Sequence, residues 1–438
     1  MPVESNLPDV VDILGVGYGP SNLGLSIALQ EHNASLPAAG HLSSVFVERQ
    51  AQFTWHSGML LPGATMQISF LKDLATQRNT RSEFTFLNYL DQRGRLTHFI
   101  NLQSFFPSRV EFHDYLSWAA DTVNANVLYG TSATAVSWNG DFFEVTTASG
   151  GRRRTLFARN VVLAGGLTPT LPDGVTVGER VFHNHRLLEH LDALPSVEHG
   201  RFVVVGAGQS AAEVMAHLHQ QYTSAEVHAV MSKYGYSPAD DSPYANRVFD
   251  PEAVDDFYSA STQLRDQLLA YHRSTNYSAV DLELIEELYE REYTERVTGR
   301  RRLFVHGASG LSSVEETGSA VDAVVRHRPT GRETRLKCDA VVFATGFRPL
   351  DLHAILGPLA DRCRFAADGM PEVERDYRLR TDASVRGGIY LQGGTEHSHG
   401  LTSSLLSNIA VRSGELVASV AENTDRAGEA ALTPALTH

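Results

Sequence analysis

Two glycine-rich loops lie far apart in the chain, and each directly follows a run of apolar, mostly β-branched residues. The first run and loop occupy residues 10–22 (VVDILGVGYGPSN), and the second occupy residues 202–213 (FVVVGAGQSAAE). A glycine loop between a strand and a helix binds the pyrophosphate of a dinucleotide. One such loop is a weak signal, but two in the same setting predict that one protein holds two dinucleotides. Such a protein passes electrons from a nicotinamide to a flavin.

The paired glycines of each loop have separate tasks. Gly15 and Gly206 allow the strand to turn sharply into the following helix. Gly17 and Gly208 carry no side chain, so a pyrophosphate can approach the backbone and the positive end of that helix. Each loop therefore has the residues that a dinucleotide site requires.

The positions that follow these glycines also bear on dinucleotide binding. Pro20 replaces the usual third glycine of the first loop, and Ala211 replaces that of the second. Proline is tolerated at a helix start because its missing N–H would be among the unpaired donors of the first turn. Residues 44–48 (SVFVE) predict a second strand that ends in a carboxylate. Glu48 is therefore the candidate partner for an adenosine ribose.

The charge and the cysteine content exclude several classes of protein. The 438 residues carry a formal charge of −14, which argues against nucleic acid as a partner because phosphates attract a basic surface. The 2 cysteines have no C-x-x-C spacing and cannot form a disulfide framework. We therefore expect a protein of the reduced cytoplasm. We also expect no signal peptide and no membrane-spanning segment.

The order of the apolar runs predicts the architecture. We expect an α/β chain with two Rossmann-like dinucleotide-binding domains, for FAD and NAD(P)H, and a small, mainly helical region. The predicted ranges are 1–195 and 340–438 for the FAD domain, 196–236 and 302–339 for the NAD(P)H domain, and 237–301 for the helical region. The FAD domain is discontinuous in this assignment because we expect the buried run at residues 339–347 to rejoin the first sheet.

Shorter patterns refine this architecture. Alternating runs within residues 127–165 are typical of a small antiparallel insert that returns to a parallel sheet. Residues 252–272 and 279–295 carry apolar residues at helical spacing on an acidic background. We therefore expect helices in both segments.

Longer motifs resemble the flavin-dependent N-hydroxylating monooxygenases that act on the side-chain amine of ornithine or lysine. The resemblance covers roughly residues 10–415 and includes the first loop with proline in third place. Its further motifs are FTWHSGM (53–59), MQISFLKDLAT (66–76), FLNYL (86–90), DSPYAN (241–246), TNYS (275–278), ATGF (344–347), HGL (399–401) and LLS (405–407). The family's chemistry implies that NADPH reduces FAD, which then reacts with O2 to give a C4a-hydroperoxyflavin. The substrate amine attacks its distal oxygen.

The substrate amine has to be neutral to act as a nucleophile. For an amine with a pKa near 10.4, exposing the free base at pH 8 costs about 3 kcal/mol. A carboxylate beside the amine would raise its pKa and increase that cost. Asparagine carbonyls can instead hold a neutral amine without stabilising its ammonium form.

The resemblance implies that the helical region is a substrate-binding region, and it implies roles for individual residues. Lys72 matches the lysine that pairs with the substrate carboxylate, and Asn246 and Asn276 match the substrate-binding asparagines. Either asparagine could face the reacting amine, and we favour Asn246. Gln67 and Arg109 are expected near the flavin, and neither acts as an acid or base. The residues implied for cofactor binding are Gly15, Gly17, Pro20, Ser21, Glu48, Trp55, His56, Gln67, Gly206, Gly208, Ser210, Lys233, Gly400, Leu401 and Ser407. We expect no metal site.

One departure from the family concerns the nicotinamide cofactor. Family members usually carry an arginine after the second strand of the NADPH domain, where it grips the 2′-phosphate. Residues 231–233 (MSK) place Ser232 at that position, followed by Lys233. Lys233 could still reach a phosphate as a point charge. NADPH is therefore the first choice, and NADH becomes an alternative.

The substrate and the partners have alternatives too. The resemblance implies L-ornithine and O2 as substrates and commonly a homo-tetramer. L-lysine N6-hydroxylation is the alternative activity, and a flavin redox sensor without turnover is an alternative of another class. A flavin disulfide reductase is excluded because no cysteine precedes Cys338. The product could enter siderophore biosynthesis or that of other peptide natural products.

Overall fold

A computed structural model describes residues 8–194 and 197–432. The ends of the chain at residues 1 and 438, and the predicted boundary between residues 195 and 196, lie outside the described residues. The strands, in chain order, are β1 (Val10–Val16), β2 (Ser44–Val47), β3 (Val127–Leu128), β4 (Ser132–Trp138), β5 (Phe143–Ser149), β6 (Arg152–Leu163), β7 (Thr168–Pro169), β8 (Val181–His183), β9 (Arg201–Val205), β10 (Glu226–Val230), β11 (Leu303–His306), β12 (Ser309–Thr317), β13 (Ala320–His327), β14 (Glu333–Cys338), β15 (Ala340–Phe343), β16 (Phe347–Arg348) and β17 (Gly388–Leu391).

The helices lie between and over these strands. In chain order they are α1 (Pro20–Ala34), α2 (Phe86–Gln92), α3 (Leu96–Leu102), α4 (Arg109–Thr122), α5 (Leu187–Ala193), α6 (Gln209–Gln221), α7 (Ala253–Ser259), α8 (Thr262–His272), α9 (Leu282–Thr298), α10 (Leu352–Leu356), α11 (Glu396–His399) and α12 (Ile409–Leu432). Short 3-10 turns include Ala245–Phe249, Arg273–Thr275 and Leu401–Ser404. None of the described helices is both long enough and apolar enough to cross a membrane.

The first sheet is built around β1 and β6. Within the described residues its order is β3-β2-β1-β6-β5-β4, and β17 also pairs with β6. The first half of β6 pairs antiparallel with β5, and its second half lies parallel to β1 and β17. The predicted antiparallel insert within residues 127–165 is therefore confirmed. Ile13 packs into a core shared with α1 and α12, whereas its neighbour Leu14 faces a core shared with α10.

The second sheet has the order β11-β10-β9-β15-β8, with every pair parallel. The expectation that residues 339–347 rejoin the first sheet is wrong, because β15 lies between β9 and β8. β8 also belongs to this sheet, although we assigned it to the FAD segment at residues 1–195. β17 is the strand that returns to the first sheet. β15 is buried at every position, as in the centre of any parallel sheet, so its sequence does not indicate which sheet it joins.

The remaining elements form two smaller layers. β12, β13 and β14 make an antiparallel sheet that packs against β9, β10 and β15 of the second sheet. The segment at residues 237–301 contains α7, α8 and α9, which confirms the predicted helices. Ser261 starts α8, since its side chain caps that helix by accepting a hydrogen bond from the backbone N–H of Leu264. Two separate sheets, one mixed and one parallel, each with a parallel strand–loop–helix start, confirm the predicted α/β class.

Candidate active site

The first glycine loop connects β1 to α1 and is tightly packed from behind. Gly17 has φ = 82°, a conformation that residues with a side chain rarely adopt, and a Cβ there would collide with the carbonyl oxygen of Ala164. α1 begins after Gly19 with Pro20 in its first turn and has no side-chain cap. The first-turn N–H groups therefore remain available to an anion at the positive end of the helix.

Glu48 lies beside this loop. One carboxylate oxygen accepts a hydrogen bond from the backbone N–H of Tyr18 at 2.7 Å, and the other accepts one from the N–H of Gln50 at 2.7 Å. These bonds hold the carboxylate at the end of β2, next to the glycine loop. Its predicted contact with an adenosine ribose is compatible with this position and stays a prediction.

Two residues of the C-terminal segment, Gln392 and Arg412, hydrogen-bond to the end of the first loop, and the sequence analysis did not identify either of them. Gln392 Nε2 donates to the carbonyl oxygen of Ser21 at 3.1 Å and to Asn22 Oδ1 at 3.0 Å. Arg412, which is 1% exposed, donates to Ser21 Oγ at 3.2 Å and to Gln392 Oε1 at 3.2 Å, and also to the carbonyl oxygen of Ser403. A buried guanidinium therefore lies directly behind the uncapped start of α1.

The second glycine loop repeats this arrangement between β9 and α6. Gly206 has φ = 150°, and a Cβ there would collide with the carbonyl oxygen of Ala344. α6 begins after Gly208 and, like α1, has no side-chain cap. By contrast, Ser108 caps α4. The two helices that follow the glycine loops are thus both open at the end where a pyrophosphate would bind.

The second loop lines a cleft with a volume of about 2090 Å³, and Ser21, at the start of α1, lines the same cleft. Predicted site residues that line it include Ser21, Gly206, Gly208, Ser210, Asn276 and Leu401. This volume is above that of an ordinary small-molecule pocket, which is roughly 300–1,000 Å³, and is compatible with two dinucleotides. The start of α1 and the second glycine loop, which are far apart in the sequence, thus face a common space.

Arg109 and Gln67 belong to one polar network that reaches the second loop. The Arg109 guanidinium forms a two-pronged ion pair with Glu213 of α6, at 2.7 and 2.9 Å, and both side chains are largely buried. Gln209, the first residue of α6, donates to Glu213 at 3.1 Å and to Asp281 at 3.1 Å. Gln67 Nε2 donates to the same Asp281 carboxylate at 2.6 Å. The network joins the start of α4, the start of α6 and the start of α9.

Lys72 and the segment that carries Asn246 are neighbours. The Lys72 ammonium lies 5.9 Å from the ring centroid of Phe249, in the 3-10 turn that contains Asn246. Burial lowers the pKa of Lys72, and the nearby Asp250 carboxylate opposes this in part. Asn246 Nδ2 donates to the carbonyl oxygen of Asp241 at 2.7 Å, which fixes the orientation of its amide.

Asn276 lies in a different wall of the cleft, in the turn over the second loop. The adjacent Ser278 has its Cα 3.6 Å from the position that a Cβ on Gly208 would take. Lys233 Nζ donates to the carbonyl oxygen of Ser278 at 2.8 Å. The Tyr277 hydroxyl donates to Glu396 on the C-terminal segment. Asn276 is therefore placed between the second loop and α11, whereas Lys72 and Asn246 are not part of the cleft lining.

The other predicted cofactor residues occupy two segments. Trp55 and His56 have their rings edge-to-face, with centroids 4.7 Å apart. Gly400 has φ = 77°, and the following Leu401 is buried. Ser407 Oγ and Asn408 Oδ1 are buried without a hydrogen-bond partner among the described residues. Buried polar atoms are normally paired, so these two fit a segment that contacts a polar ligand.

Comparison with known proteins agrees with this geometry. The model of the L-lysine 6-monooxygenase/L-ornithine 5-monooxygenase family matches residues 9–349. The chain belongs to this family. The resemblance inferred from the motifs is therefore confirmed, and relatives match the monooxygenase over most of its length.

Three relatives illustrate the similarity. The L-ornithine N(5)-monooxygenase of Burkholderia cepacia is 40% identical over 404 residues, which cover 89% of this chain and 90% of the relative. The ornithine N-hydroxylase of Kutzneria sp. 744, whose structure is described with reduced FAD, NADP+ and L-ornithine, is 45% identical with a TM-score of 0.90, over 95% of this chain and all (100%) of that one. The L-lysine 6-monooxygenase of Pseudomonas syringae is 30% identical with a TM-score of 0.81, over 94% and 99%.

Proposed function

We propose that this monooxygenase hydroxylates the side-chain amine of L-ornithine, with FAD, NADPH and O2. The observation that supports ornithine as the substrate is the sequence identity of this chain to two relatives of known structure. The chain is 45% identical to an ornithine N-hydroxylase and 30% identical to a lysine 6-monooxygenase, with similar coverage of both. The same site residues would serve either substrate, so this similarity decides between them.

The two glycine loops provide the cofactor sites. The loop before α1, with Glu48 beside it and Arg412 behind it, would hold FAD. The loop before α6, which lines the cleft, would hold NADPH. Bound FAD supplies the redox chemistry, since it takes electrons from NADPH and delivers one oxygen atom of O2 to the amine. The protein has to position both nucleotides and the substrate.

Lys72, Asn246 and Asn276 would bind the substrate. The Lys72 ammonium suits the substrate carboxylate because its half-buried position strengthens a charge pair relative to water. Neutral asparagine amides suit the other end, because they can accept or donate hydrogen bonds without favouring the ammonium form of the amine. No residue is assigned as acid or base, and the site also has to keep water away from the oxidant.

Product analysis separates ornithine from lysine as substrate. Lysine is longer by one methylene, so with its carboxylate at Lys72 its amine would overshoot the reacting position by about an ångström, enough to cost orders of magnitude in rate. Mass spectrometry of products formed from each amino acid should find N5-hydroxyornithine and little hydroxylysine. NADPH oxidation that yields more hydroxylated lysine than ornithine would refute the assignment.

The cellular setting is part of the same proposal. The hydroxylated product suits a hydroxamate siderophore or a related peptide, made in the cytoplasm, and the active form would be a homo-tetramer. Exposed apolar side chains on and after α3, including Ile100, Leu102 and Phe105, are compatible with contacts between subunits. Light scattering of the purified holoenzyme measures the assembly, and a monomer at micromolar concentration would exclude the tetramer.

A further inference from the structure

The 2′-phosphate of NADPH needs a cation at the end of β10. In a Rossmann domain the adenosine ribose lies beyond the second strand of the sheet, where an arginine accommodates the 2′-phosphate of NADP. Here β10 is followed by Met231, Ser232 and Lys233, and Met231 and Ser232 line the cleft. Ser232 has no charge. Lys233 is not part of the cleft lining, and its ammonium is bound to the carbonyl oxygen of Ser278 at 2.8 Å.

The turn after β13 brings another cation to the same wall. The backbone N–H of Ser309 donates to the Met231 carbonyl at 2.8 Å, and that of Ala308 donates to the Lys233 carbonyl at 2.7 Å. The N–H of Arg328 in turn donates to the Ala308 carbonyl at 2.9 Å. This ladder fixes the backbone of Arg328 beside the residues that follow β10.

The side chain of Arg328 also points along this wall. Its Nη2 lies 3.4 Å from the position that a Cβ on Gly310 would take, and both residues line the cleft with Ser232. Arg328 is exposed, and no described carboxylate lies within 4.0 Å of its guanidinium. Arg273 also lines the cleft, but its guanidinium lies over the Tyr277 ring at 5.5 Å. Arg328 is therefore the guanidinium among the described residues that lines the cleft with Ser232 and has neither a carboxylate nor an aromatic ring as a partner.

We propose that Arg328 recognises the 2′-phosphate of NADPH and replaces the arginine that the family usually carries at position 232. The proposal rests on the assignment of the second loop to NADPH. A guanidinium can bind a phosphate through two parallel N–H donors, whereas the Lys233 ammonium offers only a point charge that is already hydrogen-bonded. The charge needed for NADPH thus comes from the β12–β13 unit and not from the end of β10.

Binding of nucleotide fragments tests this without turnover. Calorimetry of the FAD-loaded enzyme compares 2′,5′-ADP with 5′-AMP, which lacks the 2′-phosphate. Arg328→Gln should weaken 2′,5′-ADP binding about tenfold and leave 5′-AMP within twofold, because an exposed charge-assisted contact is worth roughly that factor. The loss should shrink at high salt, where exposed charges are screened. Arg326→Gln, on the same strand pair but outside the cleft lining, is the matched control and should bind both nucleotides normally.

Kinetics of flavin reduction give a second measure. The preference for NADPH over NADH should fall about tenfold in Arg328→Gln and less than threefold in Lys233→Gln. Equal losses for NADPH and NADH, an unchanged preference in Arg328→Gln, or the full loss in Lys233→Gln would each overturn the proposal. These measurements need no amino acid, so a wrong substrate assignment leaves their outcome unaffected. Failure of 5′-AMP to bind the unchanged protein would instead refute the placement of NADPH at the second loop.

Discussion

Replacing Gly208 by alanine separates nucleotide binding from folding. Gly208 has φ = −106° and ψ = −178°, which any residue adopts, and an added Cβ would meet only Ser278, at an ordinary contact distance of 3.6 Å from its Cα. The change should therefore alter the free energy of unfolding by no more than about 0.5 kcal/mol. Gly206 is unsuitable for this purpose, because its φ of 150° and the Ala344 carbonyl exclude a side chain from the fold itself.

The effect on NADPH should be much larger than the effect on stability. A methyl group at Gly208 occupies the space through which the pyrophosphate reaches the first N–H groups of α6. A hydrogen bond to a charged group contributes about 1.5–3 kcal/mol, so losing one or two corresponds to a rise in the NADPH dissociation constant of about ten- to a hundredfold or more. FAD content should stay at that of the unchanged protein.

Gly19→Ala is the matched variant for the other loop. Gly19 has φ = −83° and ψ = −169°, and nothing lies within 4 Å of its added Cβ. Gly19→Ala should weaken the binding of FAD and leave the binding of 2′,5′-ADP unaffected. Stopped-flow flavin reduction gives the NADPH dissociation constant, flavin absorbance gives FAD content, and thermal melting gives stability. The reasoning fails if Gly208→Ala binds NADPH within twofold of the unchanged protein, or if the two variants impair the same nucleotide.

Three further predictions concern the substrate pocket and the network behind it. Lys72→Ala should raise the ornithine KM by about ten- to a hundredfold, while NADPH still reduces the flavin and peroxide accumulates. Burial lowers the pKa of Lys72, so its ammonium loses its charge at a lower pH than usual. The ornithine KM of the unchanged protein should therefore begin to rise at a pH below the usual lysine value of about 10.4. Asn246→Asp should shift the pH optimum of hydroxylation upward, because a carboxylate favours the ammonium form of the amine. Glu213→Gln should lower the free energy of unfolding by about 3 kcal/mol, since it leaves Arg109 buried and unpaired, whereas Glu213→Leu with Arg109→Met should cost less.

Each of these has an outcome that contradicts it. Normal ornithine binding by Lys72→Ala would remove that lysine from the pocket, and a KM that stays flat up to pH 10 would contradict the lowered pKa. An unchanged pH optimum in Asn246→Asp would place the amine elsewhere. If the double replacement at Glu213 and Arg109 destabilises the protein as much as the single one, as measured by denaturant unfolding, the ion pair does not explain the loss.

Local sequence determined the two strand–loop–helix units that are expected to bind nucleotides. The strand, the glycine loop and the uncapped helix are consecutive in the chain, and their conformations depend on residues a few positions apart, such as Gly17 and Pro20. The antiparallel insert and the helices of residues 237–301 were also predictable, because hydrophobic periodicity is a local property. The family followed from ordered motifs, which comparison confirmed.

Tertiary structure decided everything that depends on contacts between distant segments. β15 is an apolar run that either parallel sheet would accept, and only its pairing with β9 and β8 places it in the second. Arg109 and Glu213 are 104 positions apart, and Arg412 and Ser21 are 391 apart, so no local pattern could pair them. Arg328 could not be predicted for the same reason. Its backbone is hydrogen-bonded to Ala308, which is in turn hydrogen-bonded to Lys233 after the end of β10. Periodicity determines which face of an element is buried, but the partner of that face is set by the packing of the whole chain.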